Sequence, residues 1–167
     1  MNEEKKMRCT QCDHAMVTTR ENVPYQSLPG TVLVGVEVSR CANCGELEIA
    51  IPAIDELDRM LANAVIRKSG RLTGSEARFL RKYLGDLGTD FAARIGTDKA
   101  TVSRWETDKQ PIGQQTDRLY RTLVALDKKV EEYPINELSK LDDSVAPARY
   151  AFQSVAKKSW KRTQLAA

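Results

Sequence analysis

The four cysteines of this chain form two C-x-x-C pairs, Cys9/Cys12 and Cys41/Cys44, and no thiol is left over. The N-terminal stretch MNEEKKMR is charged and has no apolar core, so we expect no secretory signal and a cytoplasmic location. Thiols stay reduced in that compartment, where paired C-x-x-C motifs indicate a metal site before they indicate disulfides.

The stretch between the two pairs predicts a β-hairpin. Residues 17–25 and 31–38 are rich in β-branched side chains, and Leu28-Pro29-Gly30 between them is a turn signal. A third short strand is expected at 46–50. A hairpin with one C-x-x-C at each end brings four sulfur atoms together.

Four thiolates suit one structural Zn²⁺ per chain, because zinc prefers a closed tetrahedron of sulfur ligands. Gly45 follows the last cysteine, where the turn requires a positive φ. Zinc binding would supply folding free energy of about 10 kcal/mol in a finger this small. Three alternatives remain open: a dithiol redox pair, an iron site, and a set in which His14 replaces one thiolate.

Charge separates the front of the chain from the rear. Residues 1–50 carry five basic and seven acidic side chains, whereas residues 71–130 carry twelve basic and eight acidic ones. An acidic front and a basic rear indicate two parts with different partners. No run approaches the ~20 apolar residues that a membrane-spanning helix needs, so we expect no membrane association.

A helix is predicted at 52–70, with Pro52 at its first position and Gly70 as its cap. Further helices are expected from a capping box at Thr73–Glu76, from 89–95, from 98–105, and from Gln114 into the 130s. The last helix carries a 4-3-4 apolar stripe of Leu119, Leu123, Leu126 and Val130. The expected core consists of Phe79, Leu80, Leu87, Phe91, Ala92, Ile95, Val102, Trp105, Leu119 and Leu123.

Two short helices joined by a tight turn at Gly96 predict a helix-turn-helix bundle. Val102 and Trp105 face inward in this arrangement, and Glu106 forms a salt bridge or a cap. The exposed face would contact DNA, with Arg104 reading guanine and short hydroxyl donors binding phosphates. The predicted contacts are Thr97, Lys99, Ala100, Thr101, Ser103 and Arg104. The alternative is an amphipathic helix whose cations are merely solvated.

The segment SRWETDKQP, preceded by IGTDKATV, resembles the Xre/Cro-type helix-turn-helix over residues 72–128. The front, MRCTQC and then NVPYQSLPGTVLVGVEVSRCANCGE, resembles the YgiT-type zinc finger. The combination is similar to the MqsA antitoxin family. This resemblance implies a homodimer on a palindromic operator, repression of its own operon, and a zinc domain that neutralises a ribonuclease toxin.

The resemblance also assigns base contacts. The family's recognition arginine falls on Arg104, but its asparagine position falls on Ala100, which cannot make that pair of hydrogen bonds. The operator should therefore differ from the family's, with more of the readout on Lys99. A second departure is the extension 134–167, in which Lys157, Lys158, Lys161 and Arg162 surround Trp160. There we expect a short helix and a frayed end, serving as a DNA-grasping arm, a partner-binding helix or a solvated tail.

The sequence thus predicts a small α+β zinc-binding domain, a β-hairpin that holds zinc with four cysteines, followed by an all-α helix-turn-helix bundle. The expected divisions are a zinc domain at 1–51, a linker helix at 52–70, the bundle at 71–133, and the extension. The expected function is an antitoxin that represses transcription, and the alternative is a phage or mobile-element regulator without a toxin. An enzyme is not expected, because the chain has one histidine and lacks phosphate-loop and nucleophile motifs.

Overall fold

The computed structural model describes residues 7–127, 133–156 and 158–165. These residues form one five-stranded sheet, five α-helices and one 3₁₀-helix, so the fold is α+β. The longest described helix has 14 residues. None of the described helices combines the length and the apolar character that crossing a membrane requires.

The chain divides into two compact units. The first, the sheet unit, comprises the chain up to Tyr25, Thr31–Ile54 and the chain from Tyr150 onward. The second, the helical unit, comprises Gln26–Gly30 and Asp55–Arg149. This division differs from the expected one, because the supposed linker helix groups with the helical unit and the C-terminal extension is split between the two units.

β1 (Met16–Pro24) and β2 (Thr31–Cys41) form an antiparallel hairpin, as predicted. The pairing shifts by one residue after Glu21, where β2 carries one residue more than β1. Gly35 has a φ of +68° at this bulge, and its N–H donates to the Asn22 side chain at 3.1 Å. Glycine suits the position because a positive φ costs it nothing.

The other edge of β2 pairs with two strands, one after the other. β3 (Leu47–Ala50) is antiparallel to its second half, which confirms the predicted third strand. β4 (Tyr150–Val155) is parallel to its first half, and β5 (Ser159–Arg162) pairs with β4. The longest path across the sheet therefore runs β1-β2-β4-β5.

The helix expected in the C-terminal extension is wrong for the segment that forms β4 and β5. These residues complete the sheet because the first half of β2 offers an edge of unpaired backbone groups. Tyr150, Phe152 and Trp160 become buried, and the indole Nε1–H of Trp160 donates to the Pro52 carbonyl at 2.7 Å. Lys157 and the last two residues of the chain lie outside the described part.

α1 (Ile54–Ile66) is shorter than the helix predicted at 52–70. Pro52 is not its first residue, because Ala53 has a φ of +45°, which is incompatible with a right-handed helix. The helix also ends before Gly70, the predicted cap. Its buried residues lie at helical spacing on one face: Leu57, Leu61, Ala62, Val65 and Ile66.

α2 (Gly74–Leu84) begins with the predicted capping box. The Thr73 hydroxyl accepts from the Glu76 N–H, and the Glu76 carboxylate accepts from the Thr73 N–H at 2.8 Å. Gly85 ends the helix in the left-handed conformation, with a φ of +85°. Local sequence signals therefore fix both ends of this helix.

α3 (Gly88–Ile95) and α4 (Lys99–Glu106) follow, separated by a turn of three residues. Gly96 caps α3 with a φ of +72°, a conformation that favours glycine. The Asp98 carboxylate caps α4 by accepting from the Thr101 N–H at 2.8 Å.

α5 (Gln114–Asp127) presents the opposite face to the one predicted. Leu119 is 38% exposed, so its predicted place in the core is wrong, and Leu126 of the same apolar stripe is 70% exposed. Val130, the last residue of that stripe, lies outside the described part, as do all of residues 128–132. The residues that α5 buries are Asp117, Tyr120, Arg121 and Val124.

The reason for this orientation is a buried guanidinium. Arg121 is fully buried, and its Nε donates to Asp117 at 2.6 Å. Its remaining N–H groups donate to the carbonyls of Ile66 at 3.0 Å, Gly70 at 2.7 Å, and Lys68. Arg121 therefore donates to carbonyl groups at and beyond the C-terminus of α1, where a helix leaves its last carbonyls without partners inside the helix.

Most of the remaining core follows the sequence pattern. Leu87 is a second wrong prediction, because it is the N-cap residue of α3 and is 69% exposed. Ile95 and Leu123 are partly buried. The predicted core residues that the structure buries are Phe79, Leu80, Phe91, Ala92, Val102 and Trp105.

Candidate metal centre and nucleic-acid interface

The four cysteines meet at one end of the β1–β2 hairpin. Cys9 and Cys12 precede β1, Cys41 is the last residue of β2, and Cys44 lies just before β3. Their Sγ atoms all lie within 4.8 Å of one another. The shortest separations are 3.4 Å from Cys9 to Cys44 and 3.4 Å from Cys12 to Cys41. Each of these contacts thus joins a cysteine of one C-x-x-C pair to a cysteine of the other.

Both cysteine pairs lie in similar turns. The Asp13 N–H donates to the Cys9 carbonyl at 2.9 Å, and the Gly45 N–H donates to the Cys41 carbonyl at 3.0 Å. Asp13 has a φ of +58° and Gly45 a φ of +77°, so the positive φ predicted for Gly45 is confirmed. Each turn folds the chain back on itself and directs two sulfurs toward the same point.

The sulfur positions fit a tetrahedral metal ion. Four sulfurs at ~2.3 Å from one ion lie ~3.8 Å apart in a regular tetrahedron. The observed separations, from 3.4 Å to at most 4.8 Å, bracket this value. They far exceed the ~2.05 Å of a disulfide, and all four cysteines are free. The cluster can therefore hold one metal ion.

The ionisation of the thiols points the same way. The pKa of Cys12 is lowered to about 6, chiefly by a backbone hydrogen bond from His14. A backbone hydrogen bond from Glu46 lowers the pKa of Cys44, but the neighbouring sulfurs outweigh it and raise this pKa to about 12. Crowded thiolates repel one another, and a cation among them removes that repulsion.

Met16 and His14 lie next to the cluster without joining it. Met16 is buried against Cys9 and Cys41 and shields that side of the sulfurs from water. The His14 Nδ1–H donates to the Cys12 carbonyl at 2.9 Å. The group of potential ligands that the described residues bring together consists of the four cysteines, without His14.

α4 has two distinct faces. Val102 and Trp105 are buried, which confirms the inward face predicted for them. The exposed face carries four of the predicted DNA-contacting residues: Lys99, Ala100, Ser103 and Arg104. Thr97 precedes the helix and is partly buried. The structure therefore gathers these side chains on one solvent-facing surface.

Arg104 is held by a chain of hydrogen bonds along α4. Its Nη2 donates to the Thr101 hydroxyl at 2.7 Å, and that hydroxyl donates to the Asp98 carboxylate at 2.7 Å. Thr101 thereby uses its only O–H, so it has no hydrogen left to donate to a phosphate. Its role in the structure is to orient the guanidinium of Arg104.

Two contacts attach α4 and the turn after it to α2. Arg81 and Glu106 form a two-pronged salt bridge, with Nη2 to Oε2 at 2.9 Å, and both side chains are only 10% exposed. Glu106 thus forms the predicted salt bridge, which raises the pKa of Arg81. The Asp108 carboxylate, in the turn after α4, accepts from the Gly74 N–H at 2.7 Å.

Gly74 is a further residue that sequence reasoning missed. A Cβ at this position would lie 2.4 Å from the Trp105 carbonyl oxygen, so only glycine allows the close approach of α2 and α4. The capping box marked the start of α2 correctly but gave no reason for this glycine. A glycine directly after a cap residue is a signal that another backbone approaches closely.

Comparison with protein-family models, with curated proteins and with solved structures finds no match for this chain.

Proposed function

We propose that this protein is a sequence-specific DNA-binding transcriptional repressor whose four cysteines hold one structural zinc ion. The observation that carries the proposal is the surface of α4, with Lys99, Ser103 and Arg104 exposed together above a buried Val102 and Trp105. A short helix anchored in this way is suited to enter the major groove with α3 packed across its inner face. The function is binding rather than catalysis.

Arg104 is the proposed base-reading residue. A guanidinium can donate two parallel hydrogen bonds to guanine O6 and N7. In the DNA-free protein, the hydrogen bond to Thr101 limits the rotation of the Arg104 guanidinium. Lys99 at the start of α4 is placed for a base or a phosphate. Ser103 and Thr97 supply hydroxyl donors for phosphates, and Ala100 offers a methyl group to thymine.

Zinc is the metal that suits the cluster best. Four cysteine sulfurs in tetrahedral positions leave no corner for water or substrate, which is the pattern of structural zinc rather than catalytic zinc. Contacts of 3.4 Å join Cys9 to Cys44 and Cys12 to Cys41, across the two pairs, an arrangement better suited to a shared ion than to two redox dithiols. A colourless protein with one zinc per chain would distinguish zinc from iron.

A homodimer on a palindromic operator completes the proposal, since two recognition helices about 34 Å apart read successive major grooves. α5 supports it, because its exposed leucines carry no charge and the same stripe on a second copy would complement it. Leu119→Glu together with Leu126→Glu is expected to convert the dimer into a monomer. If light scattering shows that the mass of the double variant is unchanged, the dimer surface lies elsewhere.

The DNA-binding test uses Arg104→Ala. We expect it to weaken binding to a site selected from a random duplex library by about 1–3 kcal/mol, with little effect on random DNA. Lys109→Ala is the matched control, because Lys109 is an exposed cation in the turn after α4 and should weaken both kinds of binding equally. An equal loss on both DNAs for Arg104→Ala would contradict base reading.

The proposed biological setting is a cytoplasmic antitoxin whose zinc-binding unit blocks a toxin encoded beside it. The second candidate is a regulator from a phage or mobile element that has no toxin. Co-purification of the chain with the product of its neighbouring reading frame separates the two. A stable complex that forms with the full chain and is lost in Cys41→Ser favours the antitoxin.

A further inference from the structure

A cleft of about 260 Å³ opens on the helical unit. One side is a stripe of α2, formed by Ser75, Arg78 and Lys82 at spacings of three and four residues. The other residues that line the cleft are Gln26, Ser27 and Pro29, in the turn between β1 and β2, and Glu106 of α4. The residues that surround the cleft are thus almost entirely polar.

The cleft has an excess of positive charge. Arg78 and Lys82 are exposed and one helical turn apart, and neither has a carboxylate within 4.0 Å among the described residues. Among the described residues that line the cleft, the one acidic side chain is Glu106, and both of its oxygens accept from Arg81. The two cations therefore face the cleft without compensation.

The neutral groups of the cleft add hydrogen-bond donors. Ser27 and Ser75 each offer a hydroxyl, and Gln26 offers an amide NH₂. Two unpaired cations surrounded by neutral donors match an anion whose oxygens only accept hydrogen bonds and carry more than one negative charge. Phosphate is the common biological group with these properties.

We propose that this cleft binds the phosphate group of a small ligand. Its volume lies just below the ~300–1,000 Å³ typical of drug-sized ligands, so the ligand should be comparable to a pyrophosphate or a sugar phosphate. A phosphate of the DNA backbone offers the same chemistry, and the experiment below distinguishes the two sources. The proposal does not depend on DNA binding by α4.

The test titrates the full-length, metal-loaded protein with inorganic pyrophosphate in a calorimeter, at constant ionic strength. Replacing both cations, Arg78→Gln with Lys82→Gln, is expected to weaken binding about tenfold or more, since a tenfold change corresponds to ~1.4 kcal/mol. The matched control, Arg59→Gln with Arg149→Gln, removes two exposed cations outside the cleft and should leave the affinity unchanged. Arg78→Lys with Lys82→Arg keeps both charges and should retain binding, which distinguishes a lost site from a misfolded protein.

The second arm measures binding of the same variants to random duplex DNA as a function of salt. If the cleft contacts the backbone, the dependence of log affinity on log salt should fall by about 0.9 for each lost phosphate contact. If the slope is unchanged while pyrophosphate binding is lost, the ligand is a free phosphate compound. The proposal is overturned if the cleft variant matches the control variant in both arms. The pyrophosphate titration contains no DNA, so its outcome does not depend on whether the Arg104 experiment supports DNA binding.

Discussion

The two units stabilise their folds by different means. In the sheet unit, Val17 is 63% exposed and Leu47 is 46% exposed. Both residues pair with Arg40 of β2, Val17 from β1 and Leu47 from β3. The helical unit instead buries ionic groups, of which Asp117 with Arg121 and Lys68 with Glu76 are nearly free of solvent. One unit leaves apolar side chains in solvent, and the other has ionic groups inside its core.

This difference indicates what each unit lacks. Units below about 70–80 residues rarely bury enough apolar surface to fold alone, and a bound metal commonly supplies the difference. In the sheet unit, the four-cysteine cluster is the proposed source of that support. The helical unit uses its buried ion pairs to fix the orientation of helices, a role that tolerates the loss of neither partner. Separate experiments can therefore destabilise each unit without affecting the other.

Removal of the metal is expected to have the largest effect. Chelation, or Cys41→Ser, should cost the sheet unit roughly 10 kcal/mol of folding free energy, the range seen for zinc-finger peptides. Hydrogen exchange followed by mass spectrometry should show loss of protection in peptides from β1 to β3, while peptides from α2 to α5 remain protected. His14→Ala, which leaves the four sulfurs intact, is the control. Simultaneous loss of protection in both units would show that they fold as one.

Breaking the buried ion pair should affect the helical unit alone. Arg121→Leu leaves Asp117 charged and buried, and it removes the donors that Arg121 provides to the carbonyls of Ile66 and Gly70. We expect a loss of about 3–5 kcal/mol in the free energy of unfolding, measured with urea. Metal content should not change. Arg118→Leu, on the same helix but only partly buried, should cost much less, and equal losses would mean that the pair contributes little.

Sequence reasoning succeeded where the determinants are local. The capping box at Thr73, the positive φ of Gly45, the turn at Gly96, and the two faces of α4 all depend on residues within a few positions of one another. Such signals act through backbone geometry that neighbours alone decide. The C-x-x-C spacing predicted the four-sulfur cluster for the same reason, because each turn orients its own pair.

The failures involve partners that are distant in the chain. Tyr150 pairs with Thr31, more than a hundred residues earlier, and no pattern within 134–167 indicates that an edge of β2 is available. The predicted inward face of α5 is wrong because its leucines form a regular stripe that suggests a core face. The decisive interaction is that of Arg121 with carbonyls near the end of α1. Unsatisfied carbonyl groups at one helix end outweighed hydrophobic periodicity in another helix.

A smaller effect is expected from Gly74→Ala, which tests how tightly the helical unit packs. The added Cβ would lie 2.4 Å from the Trp105 carbonyl oxygen, so α4 must move away from α2. Overpacking of this kind costs about 1–3 kcal/mol, and DNA affinity should fall with it. Gly88→Ala is the control, because its Cβ would meet open space and should be neutral or stabilising. An unchanged thermal midpoint for Gly74→Ala would indicate a looser contact.

The smallest expected effect is a pH dependence that separates the two units in acid. The pKa of Asp98 lies below its ordinary 3.8, first because the Thr101 hydroxyl donates to its carboxylate and second because the Thr101 N–H does so. A depressed folded pKa means that this cap stabilises α4 above pH 3.8 and is lost as the pH falls through the lower folded value. The sheet unit should unfold earlier in an acid titration, because protonated thiols release metal.

NMR should therefore show the Thr101 amide titrating below pH 3.8, after the sheet resonances have changed, and Asp98→Asn should abolish that titration. A Thr101 amide that titrates at or above 3.8 would mean that Asp98 does not hold the start of α4 as the structure shows.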